Sequence, residues 1–420
     1  MKRRTFLTAS AFTAAAAGLV ACGGDEGGDV ADLSKDSSGE LNLSYWDKNQ
    51  TATVEAAIAK FNEEYPNIKV TPSITSFKDY FTKLRTQAEG ENLPDVFWMN
   101  GPNIQLYADN DMLADLSDLD IDWSNYPEAL VELYSLDGKH YGVPKDYDVV
   151  AIWCNKDLFE AAGVELPKAD WTWDDFRATC TAIKDSGKGY AVVADVIGGG
   201  QESYYNTIPQ AGGFVIADGK SGYDDPKTIE GLQIWADLIA EGSMPEIKVM
   251  TDSNPRQLFQ GQKAAMYWAG SWEAGVMKAE YSKPESLVVV PLPKKEQQAT
   301  CIHGLAYAAA ASSKNLAAAK ALIQVFGSKE IHETEAKNGT AIPAFNGTQQ
   351  AWTEMNADWN LKVYTEEAEK FAVAYPVSKN TSAWNQKENE ILVPAFQGDV
   401  PVADAAAELA TAMNELLASE

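Results

Sequence analysis

Histidine and cysteine are scarce in this sequence, with three and four among 420 residues. His140, His303, His332, Cys154, Cys180 and Cys301 stand far apart along the chain, which leaves no zinc-ligand cluster and no CxxC redox pair. No metal and no cofactor is expected. Positive charge is also short: 34 Lys and Arg face 61 Asp and Glu, a net charge of −27 that repels phosphate backbones. Nucleic-acid binding is therefore excluded. Beyond Glu40 there is no internal repeat, no coiled coil and no low-complexity block. Catalytic signatures are missing too. Gly270-Ser271 lacks the glycines two residues either side that a nucleophile elbow needs. Five residues separate Gly213 from Gly219-Lys220-Ser221 where a phosphate loop requires four, so Asp218-Gly219 reads as a hairpin turn. Pairs of carboxylates carry no information in so acidic a chain without geometry.

What the chain has in excess is aromatic surface, with 12 Trp, 17 Tyr and 14 Phe. Its N-terminus is the most specific segment. Lys2, Arg3 and Arg4 precede an Ala-rich apolar stretch from Thr5 to Ala21, which reads as a secretion signal over residues 1–21. The stretch is short, and its Ala, Thr and Gly add little transfer energy for a membrane span. Leu19-Val20-Ala21-Cys22 resembles a bacterial lipobox, which implies that Cys22 carries diacylglycerol and begins the mature protein. Arg3-Arg4-Thr5-Phe6-Leu7 resembles a twin-arginine export signal, although Thr8 stands where that pattern has Lys. Residues 22–40 are almost devoid of apolar side chains and read as a flexible tether. The expected location is extracytoplasmic, on the outer face of the cytoplasmic membrane.

The globular part alternates strands and helices. Leu41, Leu43 and Tyr45 have period two; Val54, Ala57, Ile58, Phe61 and Tyr65 have helical spacing until Pro66; Ile68, Val70 and Ile74 return to period two. Further strands are expected at Asp95–Trp98 and Val149–Cys154, with a helix at Phe77–Ala88. Such repeated βαβ units predict an α/β fold with mostly parallel sheet and helices on both faces. Thr172 and Asp175 form a capping box for a helix whose apolar stripe holds Phe176, Cys180 and Ile183, which makes Cys180 a core residue. Leu316, Ala319, Ile323 and Phe326 form a later amphipathic stripe, and Val402, Ala406, Leu409, Met413 and Leu416 a C-terminal one.

Four separated segments then resemble one family. They are Leu41 to Val70, Pro94 to Trp98, Asp137 to Phe159 with Gly163-Val164 and Trp171 to Asp174, and Phe259 to Trp272. In this order they are similar to the extracellular solute-binding proteins of family 1, the maltose-binding-protein-like sugar receptors of ABC transporters. The resemblance implies a two-lobed periplasmic-binding-protein-like fold, each lobe a mostly parallel sheet flanked by helices, with the ligand cleft between the lobes. The expected first lobe comprises residues 41–147 and 304–345, and the second 148–303 and 346–420. Cys154 departs from the tyrosine usual before Asn155 and is read as a core substitution.

A sugar ring offers an apolar C–H face and a rim of hydroxyls, so its receptor combines aromatic plates with acids and amides. Trp46, Asp47 and Lys48 follow the first strand at its carboxyl end. Asn100 and Asn103 face ligand by the resemblance, while Trp98 packs inward or toward it. Asp146 and Asp148 lie on the first crossing segment. Gln201, Glu202 and Tyr204 follow three glycines on a candidate rim loop. Trp272 holds the family position of a sugar-stacking tryptophan, His303 lies at the hinge, and Trp384 starts a late helix where the family places an aromatic. Each has a plain alternative, in the core or on a solvated surface. The implied partners are a sugar or oligosaccharide, ABC permease subunits and, through Cys22, the membrane; a monomer is expected. A same-fold receptor for a peptide or other solute, or an exported carbohydrate-active enzyme, stands as the alternative.

Overall fold

A computed structural model describes residues 33–420, which form one compact unit. The signal segment, Cys22 and most of the expected tether lie outside the described residues. The first strand, β1 (Gly39–Tyr45), begins two residues inside the expected tether, because Gly39 and Glu40 already pair with Ile68 and Lys69. Its Leu41, Leu43 and Tyr45 point into the core, as period two requires. Helix α1 (Thr51–Glu64) buries Val54, Ala57 and Phe61 on one stripe and stops at Tyr65, where Pro66 forbids the helical conformation. Then come β2 (Ile68–Ile74), α2 (Phe77–Glu89), β3 (Val96–Asn100) and α3 (Gly101–Asp109).

The chain leaves this region along β4 (Val143–Asp148) and enters a second sheet at β5 (Val150–Asn155). Helix α4 (Trp173–Asp185) starts at the Thr172–Asp175 capping box, present in both directions, and buries Phe176, Cys180 and Ile183. Next are β6 (Tyr190–Ala194), α5 (Tyr204–Gln210), α6 (Pro226–Ala240), β7 (Ala264–Gly270), α7 (Glu273–Glu280) and β8 (Leu287–Val290). Between α5 and α6, Ile216–Ala217 pairs antiparallel with Lys220–Ser221 across Asp218-Gly219, both at positive φ, which is the expected hairpin turn. The chain returns on the long β9 (Thr300–Ala309), followed by α8 (Leu316–Phe326), α9 (Lys329–Asn338), β10 (Ile342–Pro343), β11 (Ala372–Ala374), α10 (Thr381–Gln397) and α11 (Val402–Leu417).

Two main sheets result. The first has the order β10-β4-β9-β3-β1-β2 with β11 beside the start of β9, and the second the order β8-β5-β7-β6. The expectation of mostly parallel sheets needs correction. β1 pairs parallel with β2 and β3, but β9 runs antiparallel to β3 and β4. In the second sheet only β7 and β6 are parallel, while β5 opposes both β7 and β8. Every antiparallel pair in the two main sheets involves β4, β5 or β9, the strands by which the chain passes from the first sheet to the second and back. β9 does this within one strand, since Thr300 bonds Val150 in the second sheet and Leu305 pairs with Asn100 in the first. Cys154, Cys180 and Cys301 are buried, free thiols. Among the described residues no helix is long and apolar enough to cross a membrane.

Candidate cleft between the two sheets

The carboxyl end of β4 runs straight into β5, and Gly270 at the carboxyl end of β7 pairs with Val150 at the start of β5, so these ends of the two sheets adjoin. Trp46, the first residue past β1, is half-buried against Tyr80 and Trp98, with ring centroids 4.8 and 5.0 Å away, and borders the exposed Phe77. Trp98 itself is fully buried, so it packs inward. Asp47 spends its carboxylate on a short turn, accepting from the Asn49 amide at 2.9 Å, and Lys48 is exposed.

At the end of β3, Asn103 donates to Asn100 Oδ1 at 2.7 Å, which fixes the polar start of α3. The Gly101 amide donates to His303 Nε2 at 3.1 Å. Burial holds the His303 ring down at a pKa of about 3, so it is neutral, with its proton on Nδ1.

Lys145 and Asp146 form a buried ion pair on β4, and the Lys145 ammonium stands 4.5 Å from the centre of the Trp98 ring. Burial works against that charge, yet Asp146, Glu335 and Asp148 outweigh it and keep the lysine protonated. The other Asp146 oxygen accepts from the Leu305 amide at 2.9 Å. Asp148 lies opposite His303 in the strand register and accepts from the Ser271 hydroxyl at 3.2 Å. Burial, then the nearby Asp146 charge, push its carboxyl well above the ordinary range.

Ser271 leads directly to Trp272, which is half-buried at the start of α7. A Cβ on Gly270 would overlap the Trp272 indole, so only glycine lets the ring lie there. Behind it, Arg256 grips Glu273 through a two-pronged contact of 2.8 and 2.5 Å. The loop after β6 begins at Asp195, whose carboxylate accepts from the Ile197 and Gly198 amides at 2.8 and 2.7 Å. It carries Gln201 and Glu202. One Glu202 oxygen is buried without a hydrogen-bond partner, and burial followed by Glu273 and Asp195 raises that carboxyl well above its usual range.

Trp46 thus lies against Trp98 of β3, Asn100 and Asn103 stand at the end of that strand, Asp148 and Ser271 meet where β4 gives way to the second sheet with Trp272 next in sequence, and Glu202 follows on the loop after β6. Four expected site residues are different. Tyr204 is 1% exposed and its hydroxyl donates to Glu388, so it belongs to the core. Trp384 is fully buried with its indole N–H on Ser378. His303 is buried with its acceptor nitrogen taken by Gly101. Both Asp146 oxygens are occupied within the hinge. For Tyr204, His303 and one Asp146 oxygen the partners are distant in sequence, and local pattern does not carry them. Lys145, Arg256, Ser271 and Glu335 escaped the sequence reading. Ser271 and Lys145 adjoin expected site residues, whereas Glu335, buried on α9 with one oxygen unpartnered, has no local signal. A surface hollow lined by Gly187, Gly189, Tyr190, Gly242, Leu258 and Lys263 lies at the opposite, amino ends of β6 and β7 and gathers no comparable polar set.

A family model described as bacterial extracellular solute-binding protein matches residues 45–333, more than half the chain. The chain is 26% identical over 443 aligned residues to the diacetylchitobiose-binding protein DasA of Streptomyces coelicolor, covering 100% of both. It is 26% identical over 343 residues to the galactooligosaccharide-binding protein of Bacillus subtilis, covering 78% of this chain and 77% of that one. In fold it is similar to the ABC substrate-binding protein Lmo0181 of Listeria monocytogenes, solved with cycloalternan: TM-score 0.83, 24% identity, 91% of this chain and 100% of that one. The GacH receptor of Streptomyces glaucescens gives a TM-score of 0.81 at 21% identity, over 91% and 99%.

Proposed function

The chain belongs to the bacterial extracellular solute-binding proteins, and we propose that it is a lipid-anchored receptor that captures an oligosaccharide between its sheets and delivers it to ABC permease subunits. The observation that carries this reading is that half-buried aromatic plates stand near amides and carboxyls: Trp46 packs on Trp98 of β3, which ends in the Asn100–Asn103 pair, and Trp272 follows Ser271, which donates to Asp148. The indoles suit the C–H faces of sugar rings, and the amides and carboxyls can exchange hydrogen bonds with the hydroxyls. The names of the relatives, which refer to diacetylchitobiose and galactooligosaccharides, support an oligosaccharide class.

No reaction is assigned to this chain. Ligand that touches both sides of the cleft stabilises the closed arrangement by its difference in affinity, which lets a permease distinguish loaded from empty receptor. Cys22 is the proposed attachment point of the anchor, and the protein acts as a monomer. Replacing Cys22 by Ala in cells should release the protein from the membrane fraction; detergent-dependent retention of the variant contradicts the anchor. For the sugar itself, calorimetry of the Trp272→Ala protein should show more than tenfold weaker oligosaccharide binding with unaltered circular dichroism.

A further inference from the structure

Glu388 is a fully buried carboxylate outside the cleft. It accepts from the hydroxyls of Tyr205 at 2.7 Å, Tyr204 at 3.3 Å and Tyr223. Three residues earlier on α10, Asn385 Oδ1 lies 3.1 Å from the same Tyr205 hydroxyl and its Nδ2 donates to the Tyr375 hydroxyl at 3.0 Å. Three residues earlier again, Ser382 donates to Asn103 Oδ1 at 3.0 Å and lies within 3.2 Å of the Pro102 carbonyl. Spacing of three places these side chains along one helix face.

Both ends of that face reach the candidate cleft. At one end Tyr204 and Tyr205 support the glycine loop: the Tyr205 amide donates to the Gly200 carbonyl at 2.9 Å, and a Cβ on Gly200 would fall inside both tyrosine rings. At the other, Ser382 holds Asn103, and the Tyr375 ring lies 4.8 Å from that of His303, which accepts from Gly101. The polar face of α10 therefore touches the start of α3 directly and reaches the loop of residues 198–202 through Tyr204 and Tyr205, with His303 beside Tyr375 at the first of these ends.

We infer that Glu388, Asn385 and Ser382 are positioning residues: through the tyrosine cluster they set the loop of residues 198–202 against the Asn100–Asn103 segment across the hinge. A satisfied buried polar network has few alternative arrangements, so a shift at one end must be accommodated along it. Its consequence for sugar capture rests on the cleft reading above, whereas the coupling itself does not.

The test is amide hydrogen exchange on residues 33–420 without any sugar, so a failure of the sugar assignment leaves its outcome unchanged. Glu388→Leu should speed exchange at Gly198 and Ser203 more than tenfold and at Gly101 more than threefold, while Glu388→Gln, which keeps an acceptor, restores the slower rates. His303→Phe, which removes the acceptor at the far end, should in turn speed exchange at Gly198 and Ser203. If Glu388→Leu does not fold, Tyr205→Phe is read by the same criteria at Gly198, Ser203 and Gly101. Changes confined to the side of the hinge that carries the substitution, or a uniform rise throughout the chain, overturn the proposal.

Discussion

Gly270 has no side chain because the Trp272 indole occupies the space a Cβ would need. Gly270→Ala should therefore displace the ring and weaken oligosaccharide binding nearly as far as Trp272→Ala does, about 1.4 kcal/mol or more for a tenfold loss. Isothermal calorimetry on the two variants checks this, and wild-type affinity in Gly270→Ala would show that the ring position is not needed. That Trp46 and Trp272 stand just past strand ends was legible in the sequence, because each follows an apolar strand within two residues. The burial of Tyr204 and Trp384 was not, since nothing within a few positions of either reveals Glu388 or Ser378 as its partner.

At the scale of elements, the crossing strands β4 and β9 approach so closely at Gly304 that a Cβ there would overlap the Asp146 carbonyl. Gly304→Ala should cost about 1–3 kcal/mol or more through overpacking, read as a lower denaturant midpoint. Helix α10 adds a pH dependence. Burial pushes Glu388 up to about 7 from an ordinary 4.5, so between those values the folded state keeps a proton that the unfolded chain has released. Stability from this group is thus present at low pH and falls as pH rises through the window. Glu388→Gln should gain on the wild type between pH 5 and pH 7.5 in urea unfolding; an equal difference at both pH values would contradict it. His303 acts in the opposite sense. Its pKa falls from 6.5 to about 3, so it costs stability as pH drops below 6.5. The β-α-β opening, the capping box and the hairpin at Asp218 were readable because periodicity and turn chemistry are local. The antiparallel share of the sheets was not, because strand direction depends on how the chain crosses between them.

For the whole molecule, the net charge of −27 opposes anionic ligands. Uronates and sugar phosphates should bind at least tenfold more weakly than neutral oligosaccharides of the same length in direct titration. The two-lobed architecture was available from four ordered segments, whereas the ligand's identity is set by cleft contours assembled from both sheets. The central claim is capture of a sugar, and it is tested most directly by thermal unfolding of residues 33–420 against neutral mono-, di- and oligosaccharides, peptides and polyamines. Ligand at 100 times its dissociation constant adds about 2.7 kcal/mol of stability. The account predicts an upward shift of several degrees with neutral oligosaccharides and none with peptides or polyamines. A shift with peptides or polyamines and none with any sugar would contradict it.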